Sequence, residues 1–224
     1  MLRTVWSILK NIPVINSITF FILRNSRYIF WRYRGRKPVQ LGPANKEFLK
    51  RIKSVIGSDS NFKLIEFGCA AGPTLIELAK DYPNSNLFGF DIRKGAIYEG
   101  NKFISENNIK NLELRHKNLL ELDDGLGCDY LISRATLIYL SNKDLRILLE
   151  NFKTSVSKKI IFQEIESLTG NSIKHYFFAH PFESIFEELG YSELFNITIE
   201  VMDFPRWKKK SWRGVNIVLE RKTL

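Results

Sequence analysis

From Phe62 onward, short apolar runs alternate with longer stretches in which apolar side chains recur every three or four positions. The short runs predict strands at Lys63–Phe67, Asn86–Asp91, Leu112–His116, Tyr130–Ser133 and Lys159–Gln163. The longer stretches predict helices at Pro73–Asp81, Lys94–Asn107, Asn142–Ser155 and Pro181–Glu188. Strands this apolar need cover on both faces, and their alternation with helices argues for a mainly parallel sheet between helical layers. The last two segments break the rhythm. Glu193–Met202 and Val215–Glu220 read as strands joined by a Pro/Trp/Lys loop with no helix between them, which predicts a closing antiparallel hairpin and seven strands in all.

Ahead of this alternation lies a short predicted helix, Lys46–Ile56, and before it a segment of different character. On a helical projection Val14, Ile18, Phe21, Ile22 and Ile29 fall on one side, and Asn16, Arg24, Arg27 and Arg34 on the other. Phe20, Trp31 and Arg32 blur that stripe, and Pro13 bends its start. Charge sharpens the division. Residues 1–46 hold nine Lys or Arg and no acidic residue, which leaves 25 basic against 24 acidic side chains in the remainder. The net charge of +10 therefore belongs to the N-terminal segment. We divide the chain into a basic, aromatic, helical segment (1–45) and an α/β domain (46–224).

The longest uncharged N-terminal run, Asn11 to Leu23, rises roughly 20 Å as a helix, too short for a hydrocarbon core of about 30 Å. The Arg-rich, acid-free, Ser-containing start leaves an organellar presequence as an alternative to a cytoplasmic location. Cys69 and Cys128 lack metal-ligand spacing and read as buried, reduced thiols, so no metal is expected.

The sharpest chemical signal is Leu64-Ile65-Glu66-Phe67-Gly68-Cys69-Ala70-Ala71-Gly72-Pro73. An apolar strand ends in an acidic residue and a turn of small residues, and a helix opens at Pro73, a position where proline's missing N–H costs nothing. Small residues let backbone approach a ligand, and the helix start offers unpaired amides to a carboxylate. Nineteen residues beyond Gly72 the next strand ends at Asp91, which a right-handed strand–helix–strand unit brings beside the first turn. A carboxylate there can accept from both hydroxyls of a ribose.

These segments resemble motif I and the acidic ribose-binding position of class I S-adenosylmethionine-dependent methyltransferases, over residues of about 40–222. The resemblance implies a Rossmann-like fold with the closing hairpin and S-adenosyl-L-methionine as cofactor. It places Glu66, Gly68, Cys69, Ala70 and Gly72 around the methionine portion, and Asp91 and Ile92 beside the ribose and base. Asn118 and Leu119, after the third strand, fall at the segment that reads adenine, and Ser133 supplies a backbone carbonyl to the cofactor's ammonium. Arg134 faces the substrate or closes a salt bridge. Two positions depart from the pattern: Ala70 stands where the family has its central glycine, and Asn118 where it often has Asp. The alternative for Asn118 is a turn cap. A nicotinamide dehydrogenase expects Gly-x-Gly-x-x-Gly, and Ala70 and Pro73 argue against it.

Methyl transfer to oxygen needs a group that accepts a proton, and His is the natural one near neutral pH. His175 and His180 flank an aromatic cluster after the fifth strand and are the candidate bases or substrate binders, with helix capping as the alternative for His180. His116 reads as structural. The expected acceptor is a hydroxyl or amine on a small molecule, lipid-linked compound or glycan. A protein-lysine methyltransferase at a membrane and a non-catalytic binding scaffold are the alternatives. Residues 1–37 and 204–213 combine Trp, Phe and Ile with Lys and Arg, which suits peripheral contact with an anionic membrane surface. A packed lid and nucleic-acid binding compete with that reading.

Overall fold

The computed structural model of the chain describes residues 39–121, 127–169, 178–202 and 211–223. Helix α1 (Pro43–Ile56) leads into β1 (Lys63–Phe67), α2 (Pro73–Asp81), β2 (Asn86–Asp91), α3 (Lys94–Glu106) and β3 (Leu112–His116). Then follow β4 (Cys128–Arg134), α4 (Asn142–Ser155), β5 (Val156–Ser167), α5 (Phe182–Glu188), the single turn α6 (Tyr191–Leu194), β6 (Phe195–Met202) and β7 (Trp212–Arg221). The strands form one seven-stranded sheet in the order β3-β2-β1-β4-β5-β7-β6. The pairs from β3 to β5 are parallel, and β7 runs antiparallel to both β5 and β6. This is the mainly parallel sheet with a closing hairpin that the hydrophobic pattern predicts, and the Rossmann-like fold that the resemblance implies.

The strand period of two sends alternate residues of each strand to opposite faces, and both faces are covered. Ile65, Phe67, Ile160 and Phe162 pack with α4, α5 and α6 in one core, which includes Leu145, Leu149, Phe182, Phe186 and Tyr191. Leu64, Tyr130, Ile132 and Ile161 pack with α1, α2 and α3 in the other, with Phe48, Ile52, Leu75 and Ile97. On this second face, the residues that follow Leu64 and Ile132 by two are Glu66 and Arg134. Apolar burial thus gives way to polar groups where the strands reach their carboxyl ends.

Chain order reverses between β1 and β4, and crossovers leave the sheet in opposite directions on either side. A crevice at the carboxyl ends of those two strands follows from that reversal.

The differences from the sequence reading are local. β5 extends from Val156 to Ser167 rather than over Lys159–Gln163, because the carboxylates of Glu164 and Glu166 are buried yet partnered and so do not end the strand. Helix α1 starts three residues early, at Pro43, in a first-turn position suited to proline. Tyr191–Leu194 forms a helical turn after the left-handed Gly190, so β6 begins at Phe195 rather than Glu193. The N-terminal stripe, residues 1–37, and most of the hairpin loop, 203–210, lie outside the described residues.

Candidate active site

The turn between β1 and α2 is held from both sides. The amides of Gly68 and Cys69 donate to the Phe90 carbonyl at 2.8 and 3.2 Å, tying the turn to β2. Gly68, Ala70 and Gly72 adopt φ values of 70°, 55° and 72°. Gly68 needs glycine for a second reason: a Cβ there would lie 1.9 Å from Oγ1 of Thr136, in the loop after β4. Ala70 takes the left-handed conformation with a methyl group attached, at a cost of about 1 kcal/mol. Ala135, immediately after β4, does the same at φ 50°. Two alanines are thus held in glycine-like geometry at the carboxyl edge of the sheet, a strain that persists where the surroundings impose it. Cys69 is buried and reduced, and burial pushes its thiol well above the usual range.

Asp91, at the end of β2, is 4% exposed. Its Oδ2 accepts from the Ala70 amide at 2.8 Å, so the ribose-binding candidate is joined directly to the cofactor turn. Its remaining contacts come from Arg93: the backbone amide (2.8 Å) and Nε (3.0 Å) reach Oδ1, and Nη2 (3.0 Å) reaches Oδ2. Ile92 beside it is half exposed, an apolar surface at the mouth of the crevice. His116 anchors this bend through Nε2, 3.0 Å from the Ile92 carbonyl, which agrees with its structural reading.

Asn118 caps a turn. Its Oδ1 accepts from the Leu120 amide at 3.3 Å and its Nδ2 donates to Glu121 at 3.2 Å, over a short 3-10 segment at Leu119–Glu121. The adenine-reading role would call on the same amide oxygen, whose second lone pair is its remaining capacity.

Across the sheet edge runs a row of polar groups. Nε of Arg134 donates to Gln163 at 2.7 Å, Nη1 donates to Asn45 of α1 at 3.0 Å, and Gln163 donates to Asn216 of β7 at 3.1 Å. Glu66 lies on the same face, and its Oε2 is buried without a hydrogen-bond partner. Burial, and then the nearby Asp91 charge, push the Glu66 carboxyl up to about 8 against the opposing pull of Arg134. An unsatisfied buried carboxyl oxygen beside the turn is a site in want of a partner, and a cationic donor there would favour its charged form. The ammonium of an amino-acid tail meets that want, so the residues present fit the group that the motif implies.

On the opposite face Glu164 organises the loop after β4. Its Oε1 accepts from the amides of Thr136 (2.9 Å) and Leu137 (3.1 Å), and the Ser133 hydroxyl lies 3.4 Å away. Burial raises its carboxyl to about 7. Ser133 is fully buried with its hydroxyl 3.3 Å from the Phe67 carbonyl, where it links β4 to β1. Glu164, Thr136 and Arg93 were not singled out from the sequence. A carboxylate at the far end of a buried apolar strand was the available signal for Glu164.

The structure corrects two expectations. His180 has no exposed surface: Nε2 donates to the Leu137 carbonyl at 3.0 Å and Nδ1 lies 2.8 Å from the Asn142 side-chain amide. Burial lowers its pKa, and both ring nitrogens are engaged, so His180 clamps the turn into α4 rather than meeting a substrate. Trp212 is buried and so also leaves the proposed surface patch, whereas the Arg213 side chain stays 38% exposed. Trp212 packs against Ile138, Ile165 and Ala179, and Arg213 is paired with buried Glu166 at 2.7–2.8 Å. His175 lies outside the described residues.

Residues 58–173 match the family model described as a methyltransferase domain, 116 of the 224 residues. An uncharacterised protein of Rickettsia prowazekii is 38% identical over 81 residues, covering 36% of this chain and 15% of that protein. The bifunctional methyltransferase of the same organism is 28% identical over 155 residues, 65% of this chain and 28% of its own length. The matched stretches thus span a third or less of these curated relatives. Among solved structures, magnesium protoporphyrin IX methyltransferase from Synechocystis superposes with a TM-score of 0.62 at 15% identity, over 90% of this chain and 96% of that one. With the matching model spread over β1 to β5 and the sheet order above, the chain belongs to the methyltransferase domain family and has the Rossmann-like fold of its class I, S-adenosylmethionine-dependent members.

Proposed function

We propose that this chain transfers the methyl group of S-adenosylmethionine to an oxygen or nitrogen of a small molecule, lipid-linked compound or glycan. The observation that carries the cofactor assignment is the joint between Asp91 and the turn. A buried carboxylate at the end of β2 is bonded at 2.8 Å to the amide of Ala70, and its charge is felt at Glu66, whose Oε2 is buried without a hydrogen-bond partner. One end of that crevice suits a ribose and the other an amino-acid tail.

When bound, the cofactor supplies an electrophilic methyl on sulfonium, with a neutral thioether as leaving group. The protein's task is then mainly placement. Asp91 would hold the ribose hydroxyls, Glu66 and the Ser133 carbonyl the ammonium, and Ile92 would offer an apolar face to the base. Glu164 fixes the amides of Thr136 and Leu137, and so holds the Thr136 side chain against Gly68. His175 is the proposed proton acceptor or acceptor-binding residue.

The basic, aromatic segment 1–37 is the proposed contact with an anionic membrane surface, on the strength of its charge asymmetry alone, with the enzyme facing the cytoplasm. Incubation with methyl-labelled S-adenosylmethionine and a panel of hydroxyl- and amine-bearing acceptors, with and without anionic vesicles, tests the assignment. Label entering a small or lipid-linked acceptor, and falling sharply in His175→Ala, supports it. Label confined to protein, or to no acceptor at all while cofactor binds, contradicts the substrate class.

A further inference from the structure

Asp91 has four lone-pair positions on its two oxygens, and all four are taken. Oδ1 accepts from the backbone amide and Nε of Arg93, and Oδ2 accepts from the Ala70 amide and Nη2 of Arg93. Two of these donors are main chain: the Ala70 amide belongs to the cofactor turn and the Arg93 amide to the bend after β2. Neither can leave without unfolding the site. The other two donors belong to one side chain. A ribose that presents its two hydroxyls to this carboxylate needs two acceptor positions, and only the guanidinium can vacate them.

We propose that Arg93 occupies the ribose subsite and that the cofactor binds by displacing it, which makes Arg93 the residue that sets cofactor affinity. The inference rests on the cofactor reading above. Its energetic logic follows from burial. Asp91 is 4% exposed, and a carboxylate that deep is costly without a compensating charge or donor. Arg93 supplies both in the free protein. Its own side chain is 34% exposed against 4% for the carboxylate, so of the two partners the arginine is the one nearer solvent. Cofactor binding therefore exchanges two charge-assisted bonds from a cation for two bonds from neutral hydroxyls. Wild-type protein gives up part of its binding energy in that exchange. A variant in which water takes the two positions left by the guanidinium, the main-chain donors remaining, gives up less.

The sign of this effect separates it from structural damage. Loss of a merely supporting residue would weaken cofactor binding. Loss of a competitor tightens it, while the free protein becomes less stable.

Calorimetric titration of S-adenosylhomocysteine into the wild type, Arg93→Ser and Arg93→Lys, with scanning calorimetry of each free protein, tests the proposal. The expected result is a Kd on the order of tenfold lower for Arg93→Ser. Arg93→Lys, which keeps the charge but cannot span both oxygens, falls between, and the free Arg93→Ser protein melts below the wild type. Equal or weaker binding by both variants, with the wild type binding normally, overturns the proposal and leaves the cofactor reading intact. No heat from any of the three proteins overturns the cofactor reading, and the proposal falls with it.

Discussion

Ala70 shows how much one residue's geometry decides. Its position in the family pattern made it a departure, and the structure gives the departure a physical form: a methyl-bearing residue at φ 55° where glycine would be unstrained. Ala70→Gly is expected to stabilise the protein by about 0.5–1 kcal/mol, the left-handed strain relieved less the extra freedom of the unfolded chain. Thermal unfolding checks it, with a rise of about 2 °C expected. A fall in melting temperature would mean that the turn does not strain Ala70.

Glu66 and Glu164 carry a second residue-scale consequence. Burial, the first cause in both, pushes their carboxyls up from the ordinary 4.5 to about 8 and about 7 respectively. The folded protein thus holds protons that the unfolded chain releases. The associated stability is fully present below about pH 4.5 and is lost as pH rises through 7 and 8. Denaturant titrations of the cofactor-free protein across pH 5 to 9 are expected to show this decline. Glu66→Gln should remove the portion near pH 8; an unchanged slope in that variant would assign the decline elsewhere.

At the scale of elements, the β1–α2–β2 unit was legible to the residue, because turn, helix start and strand end each carry a distinct chemical mark: small residues, Pro73 and Asp91. The end of β5 was not. Buried acidic residues look like a strand's end until their partners are known, and those partners, the amides of 136 and 137 and Arg213, come from other elements. His180 escaped in the same way. Its position before Pro181 suggested a cap or a base, but its bonds run back to Leu137 and Asn142, some forty residues earlier. It rings with Phe178 and Phe182 at centroid distances of 6.2 and 5.7 Å. His180→Ala is accordingly expected to cost about 2–4 kcal/mol of stability, from lost hydrogen bonds and an unfilled volume. Turnover per folded molecule should change little. Chemical denaturation paired with activity measured at low temperature decides this; lost turnover in a fully folded variant would restore His180 to the chemistry.

For the whole molecule, the order of strands sets the place of the site; the sequence pattern supplied the alternation and the closing hairpin, and the order itself is seen in the structure. Nor did the pattern supply the crossing of α1 over the polar row. Asn45 reaches Arg134, and Arg51 pairs with Glu200 of β6 at 2.8 Å, so the helix that follows the basic segment is fastened across the carboxyl-edge face of the sheet. Long-range contacts of this kind leave no period in the sequence. The arrangement puts the start of α1, through Asn45, beside Arg134 at the carboxyl edge of the sheet.

The central claim is that the crevice between β1 and β4 holds an adenosyl-sulfur ligand by its ribose and its amino-acid tail. Equilibrium titration of S-adenosylhomocysteine into the wild type and Asp91→Ala tests it most directly. Saturable one-to-one binding by the wild type, weakened at least a hundredfold in a folded Asp91→Ala, is the predicted result. Equal affinity of the two proteins, or none in the wild type, would contradict it.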